Sequence, residues 1–173
     1  MPGFAFVTNV TCTAGGAKYS GLMSFDAVPV PTYKKAVLQS VAYKRLREVA
    51  NRELKTFHIN TTQWLILGIL FDKPGDHKVS NIARDLQVEV PLITTLAHPL
   101  MMSGFVEQHA DRKDRRSKPL SITQEGIDLM NLIEDRLAGP LEKLETGLSE
   151  ADIRHYLATL QALIDNADTI ERP

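Results

Sequence analysis

Arg112, Lys113, Arg115, Arg116 and Lys118 put five cations within seven residues, interrupted only by Asp114 and Ser117. Holding like charges that close together is costly unless a polyanion is the neighbour. Arginine outnumbers lysine in the run, and its planar fork suits phosphate oxygens or a narrow minor groove. A run of this kind is otherwise a solvated loop tip, so its setting decides what it does.

The remaining chemistry-bearing residues point nowhere comparable. His58, His77, His98, His109 and His155 form no helix-spaced pair and have no cysteine partner, so no metal site is expected. No nucleophile elbow and no paired carboxylates occur in a context that favours catalysis, so we expect no catalytic residues, no cofactor and no enzyme. Gly15-Gly16-Ala17-Lys18 hints at a phosphate loop, but its spacing is wrong and no Ser or Thr follows the lysine. Asn9-Val10-Thr11 matches a glycosylation acceptor only as a pattern. The single cysteine, Cys12, excludes an internal disulfide framework and is expected to be an inert thiol in a reducing compartment.

The elements around the cationic run give it its setting. Phe105–His109 and Leu120–Thr123 read as two short strands, with Phe105, Leu120 and Ile122 as the inward residues of a half-buried hairpin. Before them, Ser80 is placed to cap a short helix, Asn81–Leu86, and Gln87-Val88-Glu89 to form a tight turn. Pro91 suits the first position of a second helix that ends at Gly104, with Pro99 expected to kink it. Helix, three-residue turn, helix, then hairpin is a winged helix-turn-helix, and the cationic run is its wing tip.

The flanks read as helices. From Pro31 an apolar stripe of Leu38, Val41, Ala42, Leu46, Val49 and Ala50 needs covering, and a second subunit is a natural cover. Asn60 or Thr61 caps a core helix, Thr62–Phe71, apolar nearly all round. Thr123 caps a long helix, Glu125–Leu144, with Ile127, Met130, Leu132 or Ile133, and Leu137 inward, and Gly139-Pro140 expected to bend or break it. Ser149 and Asp152 approximate a capping box for a last helix with a broad apolar face. Residues 1–30 read as an arm packing on a dimer partner or, equally, as an extension without fixed order.

Net charge is -1, yet residues 1–72 carry 8 Lys+Arg against 4 Asp+Glu, while residues 127–173 carry 4 against 10. The acidic C-terminal helices should therefore lie away from nucleic acid. The longest apolar run, Trp64–Phe71, is too short to cross a bilayer, and the first cation is Lys18, so no membrane partner and a cytoplasmic protein are expected.

Gln63-Trp64-Leu65-Ile66-Leu67, Ile82-Ala83-x-x-Leu86, Leu100-x-x-x-Gly104-Phe105-Val106 and, most specifically, Asp111-x-x-Asp114-Arg115-Arg116 with Leu120-x-Ile122-Thr123-x-x-Gly126 together resemble the MarR family of bacterial transcriptional regulators. The resemblance spans roughly Thr32 to Ala167. It implies a mainly α fold with a small β-hairpin: a DNA-binding lobe at 57–123, dimerisation helices at 31–56 and 124–167, and a tail at 168–173. It also implies a homodimeric repressor on double-stranded, pseudo-palindromic operator DNA, released by a small aromatic carboxylate or phenolic ligand.

Carried over residue by residue, Arg116 enters the minor groove, Arg112, Lys113 and Arg115 meet phosphates, and Asp114 orients the wing tip; Lys118 is a further DNA-binding candidate. The recognition helix departs from the family pattern. No Lys or Arg lies between Arg84 and Arg112, so base reading falls to Thr94, Thr95 and His98. Tyr43, Arg47, His58 and Trp64 are the candidate ligand residues, where the first long helix meets the core helix. The competing reading is a winged-helix module for architecture or protein contacts, without tight sequence-specific DNA binding.

Overall fold

The computed structural model describes residues 31–109 and 118–170. The arm at 1–30, most of the cationic run and the last three residues lie outside the described residues. Within them the protein is mainly helical with one two-stranded antiparallel hairpin.

Helix α2 (Thr61–Asp72) starts on a reciprocal cap. The Asn60 side chain accepts from the Gln63 backbone N–H at 2.9 Å, and Gln63 Oε1 accepts from the Asn60 N–H at 3.0 Å. Its Ile66, Leu67 and Leu70 are fully buried, as the all-round apolar sequence requires. Helix α1 (Thr32–Leu54) buries only Ala50 and Leu54, near its end. Asn51 Oδ1 accepts from both the N–H and the hydroxyl of Thr61, tying α1 to α2. A 3-10 turn, Lys55–Phe57, then closes on His58 in the left-handed conformation at φ 58°.

Helix α3 (Val79–Asp85) and helix α4 (Val90–Met102) form the helix-turn-helix. The expected Ser80 cap is corrected: the helix opens two residues earlier, with Lys78 at the cap position and no side-chain capping bond. The cause is tertiary, because His77 just before it exchanges two backbone hydrogen bonds with Leu120, each 2.8 Å. The α3–α4 turn is closed by Gln87 at φ 53°, with Val88 N–H on the Ala83 carbonyl and Gln87 N–H on Arg84. Helix α4 ends the same way: Gly104 sits at φ 77°, Phe105 N–H bonds Leu100 and Gly104 N–H bonds Met101. Both are paired 6→1 and 5→2 closures that satisfy the last carbonyls. Helix α4 is unbroken across Pro99.

Strands β1 (Val106–Gln108) and β2 (Leu120–Ile122) pair with Val106 opposite Ile122 and Gln108 opposite Leu120. The buried β1 side chain is Val106 at 2% exposure; Phe105, expected inward, is half-buried. Thr123 Oγ1 accepts from the Gly126 N–H at 3.1 Å and donates to the Gly104 carbonyl at 2.6 Å. Helix α5 (Gln124–Leu144) turns Leu129, Met130, Ile133 and Leu137 inward. Leu132 is exposed and Ile127 half-buried, and the helix runs through Gly139-Pro140 without the expected break. Gly126 has no room for a side chain: a Cβ there would lie 2.1 Å from the Phe105 carbonyl oxygen.

Residues Leu38–Leu144 form one compact unit, and the described residues 31–37 and 145–170 belong to a second. In the second, helix α6 (Glu150–Thr169) opens on a complete Ser149–Asp152 capping box. The Ser149 hydroxyl and backbone N–H both donate to the Asp152 carboxylate, holding it below the ordinary carboxylate range, with a smaller contribution from His155. Among the described residues no helix is long and apolar enough to cross a membrane.

Candidate nucleic-acid interface

Helix α4 fixes the site because only one side of it packs. Ile93, Ala97 and Leu100 are buried, while Pro91, Leu92, Thr94, Thr95, His98 and Met102 are exposed. Thr94, Thr95 and His98, the expected base readers, thus share one open face. The Thr94 hydroxyl donates to the Val90 carbonyl at 3.2 Å and the Thr95 hydroxyl to Pro91 at 2.9 Å. The helix is anchored from behind by Gln63, whose Nε2 donates to the Leu96 carbonyl at 3.2 Å. Glu89 stands exposed at the α4 N-terminus and makes no capping bond.

The wing strands emerge directly after α4. Their pairing continues one step, His109 N–H donating to the Pro119 carbonyl at 3.0 Å, so residues 110–118 link the two strands. Lys118 is exposed, and its carbonyl accepts from Gln108 Nε2 at 3.4 Å. Arg112, Lys113, Asp114, Arg115 and Arg116 lie outside the described residues.

At the wing base the pairing collects a polar cluster that the sequence did not announce. His109 Nε2 lies 2.7 Å from Ser121 Oγ, 3.3 Å from Glu107 and 3.8 Å from Asp76. Ser121 also donates to Glu107 at 3.3 Å. A serine, a histidine and two carboxylates invite comparison with a nucleophile relay, but a relay needs the serine on one ring nitrogen and the carboxylate on the other. Here all three partners crowd Nε2, so the cluster ties the wing base to the loop before α3. Among the described residues no three His, Cys, Asp or Glu are placed to hold a metal.

Of the four expected ligand residues, two share a lining. Tyr43 and Arg47 share a shallow groove on α1 with Ser40, Lys44, Glu48 and Asn51, and the Arg47 guanidinium stands 5.8 Å from the Tyr43 ring centre. His58 is exposed at the end of the 3-10 turn. Trp64 is half-buried against the core, and its Nε1 donates to Glu134 of α5 at 3.2 Å.

Comparison with known proteins places this geometry. A family model described as MarR family matches residues 59–118, from the approach to α2 through the cationic run. The HTH-type transcriptional regulator MhqR of Bacillus subtilis is 26% identical over 134 residues, 78% of this chain and 92% of the relative. The S. aureus MepR–DNA complex superposes with a TM-score of 0.62 at 23% identity, over 76% of this chain and 96% of that one. CouR from Rhodococcus jostii RHA1, solved with p-coumaroyl-CoA, gives 0.68 at 17% identity, over 75% and 90%. The two structural likenesses establish the fold.

Proposed function

We propose that this chain, a MarR-family DNA-binding transcriptional regulator, is a homodimeric repressor that sets α4 in the major groove and the wing along the phosphates and adjoining minor groove. The observation that carries the reading is the junction of α4 and β1. A helix face open from Pro91 to Met102 is followed, after one Gly104 closure, by strands that bracket five cations in seven residues. The base supplies sequence and the phosphates supply affinity. Exposed apolar side chains on α1 and α6, including Val37, Leu46, Leu157 and Ile164, support the dimer. Cytoplasmic location accords with this role.

Footprinting on the DNA flanking its own gene tests the reading. A protected inverted repeat is the expected result. Uniform or absent protection favours the second reading, an architectural or protein-contact module, which the cation-free face of α4 supports. Ligand control rests on the family and on the Tyr43–Arg47 groove, where an arginine and a lysine beside an aromatic wall suit an aromatic carboxylate. Such a ligand would act by binding one dimer geometry better than the other. Salicylate and related carboxylates titrated against the labelled operator should weaken binding; no change at millimolar ligand leaves a regulator controlled by other means.

A further inference from the structure

The side chains of α4 contain no guanidinium, ammonium, amide or carboxylate; only Thr94, Thr95 and His98 carry polar atoms beyond the backbone. Guanine is read in the major groove by arginine or lysine on O6 and N7, and adenine by a bidentate amide on N6 and N7. Neither partner exists on this helix. The two threonines have moreover committed their hydroxyl protons to Val90 and Pro91 within the helix. They therefore offer the groove methyl groups and acceptor lone pairs, not donors. Leu92 is 43% exposed and Met102 76% exposed on the same open side, adding apolar surface where a base reader ordinarily adds charge.

We propose that α4 reads the C5-methyl groups of thymine, through Leu92 and the Thr94 and Thr95 methyls, with His98 as its single side-chain hydrogen-bond donor. This deepens the reading above and rests on it. The thymine methyl is the one base-edge group in the major groove that an apolar surface recognises. The residues nearest the start of a recognition helix reach the base edges first, and Leu92, Thr94 and Thr95 occupy that end. The half-site beneath α4 is thus defined by T·A pairs, and a guanine there finds no fork.

The test uses the full chain and the footprinted repeat, replacing one thymine at a time with deoxyuridine. That substitution removes a methyl and leaves pairing intact. At two or more positions in each half-site, affinity should fall about fourfold per methyl, the amount one buried methyl supplies. Exchanging a sensitive T·A for C·G should weaken binding further, and 5-methylcytosine in place of that cytosine should recover about fourfold. Thr95→Val keeps the methyl and should hold affinity. Thr95→Ser keeps only the hydroxyl and should weaken binding while erasing the deoxyuridine effect at one position. A protected repeat indifferent to every deoxyuridine, or one where Ser is tolerated and Val is not, overturns the inference while leaving the DNA-binding reading intact. Absence of any protected repeat overturns both.

Discussion

Gln63 donates its side-chain amide to the backbone carbonyl of Leu96 from a position only 6% exposed, so the cap of α2 and the middle of α4 hang on one residue. Its oxygen holds the Asn60 N–H and its nitrogen holds α4. Gln63→Glu keeps the capping acceptor but faces a carboxylate oxygen against a carbonyl. We expect it to lower stability by about 1–3 kcal/mol in urea unfolding, the cost of a buried polar group left badly paired. Gln63→Ala should lose a similar amount through the cap and the bridge together.

Gln87 adopts a left-handed conformation that Gly104 occupies without strain. Gln87→Gly should raise stability by about 1 kcal/mol and Gly104→Ala should lower it by about the same, since a Cβ in this region costs about 1–2 kcal/mol. Paired chemical-denaturation curves check both signs, and Gln87→Gly should leave DNA affinity unchanged.

The wing residues should divide their labour. Arg116→Ala is expected to cost about 1–3 kcal/mol and relax preference at one flanking position of each half-site. Lys113→Ala should weaken all sequences alike and reduce the salt slope by roughly one. Asp114→Ala should lower specificity although it makes the protein more positive; operator binding that tightens with specificity intact refutes an orienting role. Competition titrations against operator and random duplex at several salt concentrations read all three.

The Asp152 carboxylate is held below its ordinary range, first by the Ser149 hydroxyl and then by the Ser149 N–H. A carboxyl group lowered on folding stabilises the fold above its unfolded value, about 3.9, and loses that contribution as pH falls through the lowered folded value. Helical circular dichroism should therefore show acid fraying of α6 in the native chain. Ser149→Ala should fray α6 already at neutral pH and flatten that acid step.

Leu157 and Ile164 on α6 are 57% and 58% exposed. Leu157→Glu with Ile164→Glu costs a monomer little and should be intolerable across an apolar interface. Sedimentation at low micromolar concentration should give a dimer for the native chain and a monomer for the double variant. A dimer that survives both charges places the interface elsewhere, as would a dimer surviving removal of residues 147–173.

The helix-turn-helix and hairpin were legible because their signals are local: Pro91 and Gly104 bracket α4, and Leu120 and Ile122 mark β2, although in β1 it is Val106 rather than Phe105 that is buried. The misplacements arise where distant chain decides. Ser80 lost its capping role because pairing of His77 with Leu120, 43 residues away, sets how the chain enters α3. Leu132 and Ile133 are neighbours on a helix, and only packing selects Ile133. The His109 cluster depends on strand register, which places Glu107 opposite Ser121 and cannot be counted from either strand alone. The threonine hydroxyls of α4 follow the same rule, since composition says nothing of where a proton is committed and the helical backbone decides it.

Gly126 lets the first turn of α5 press onto the Phe105 carbonyl with no side chain between them. The carbonyl it presses on belongs to the residue that joins helix, hairpin and helix: the Phe105 N–H closes α4 on Leu100, and its oxygen accepts from the Thr123 N–H at 3.1 Å. A methyl at residue 126 would have to push that oxygen aside, and with it both hydrogen bonds that fix where the wing leaves α4.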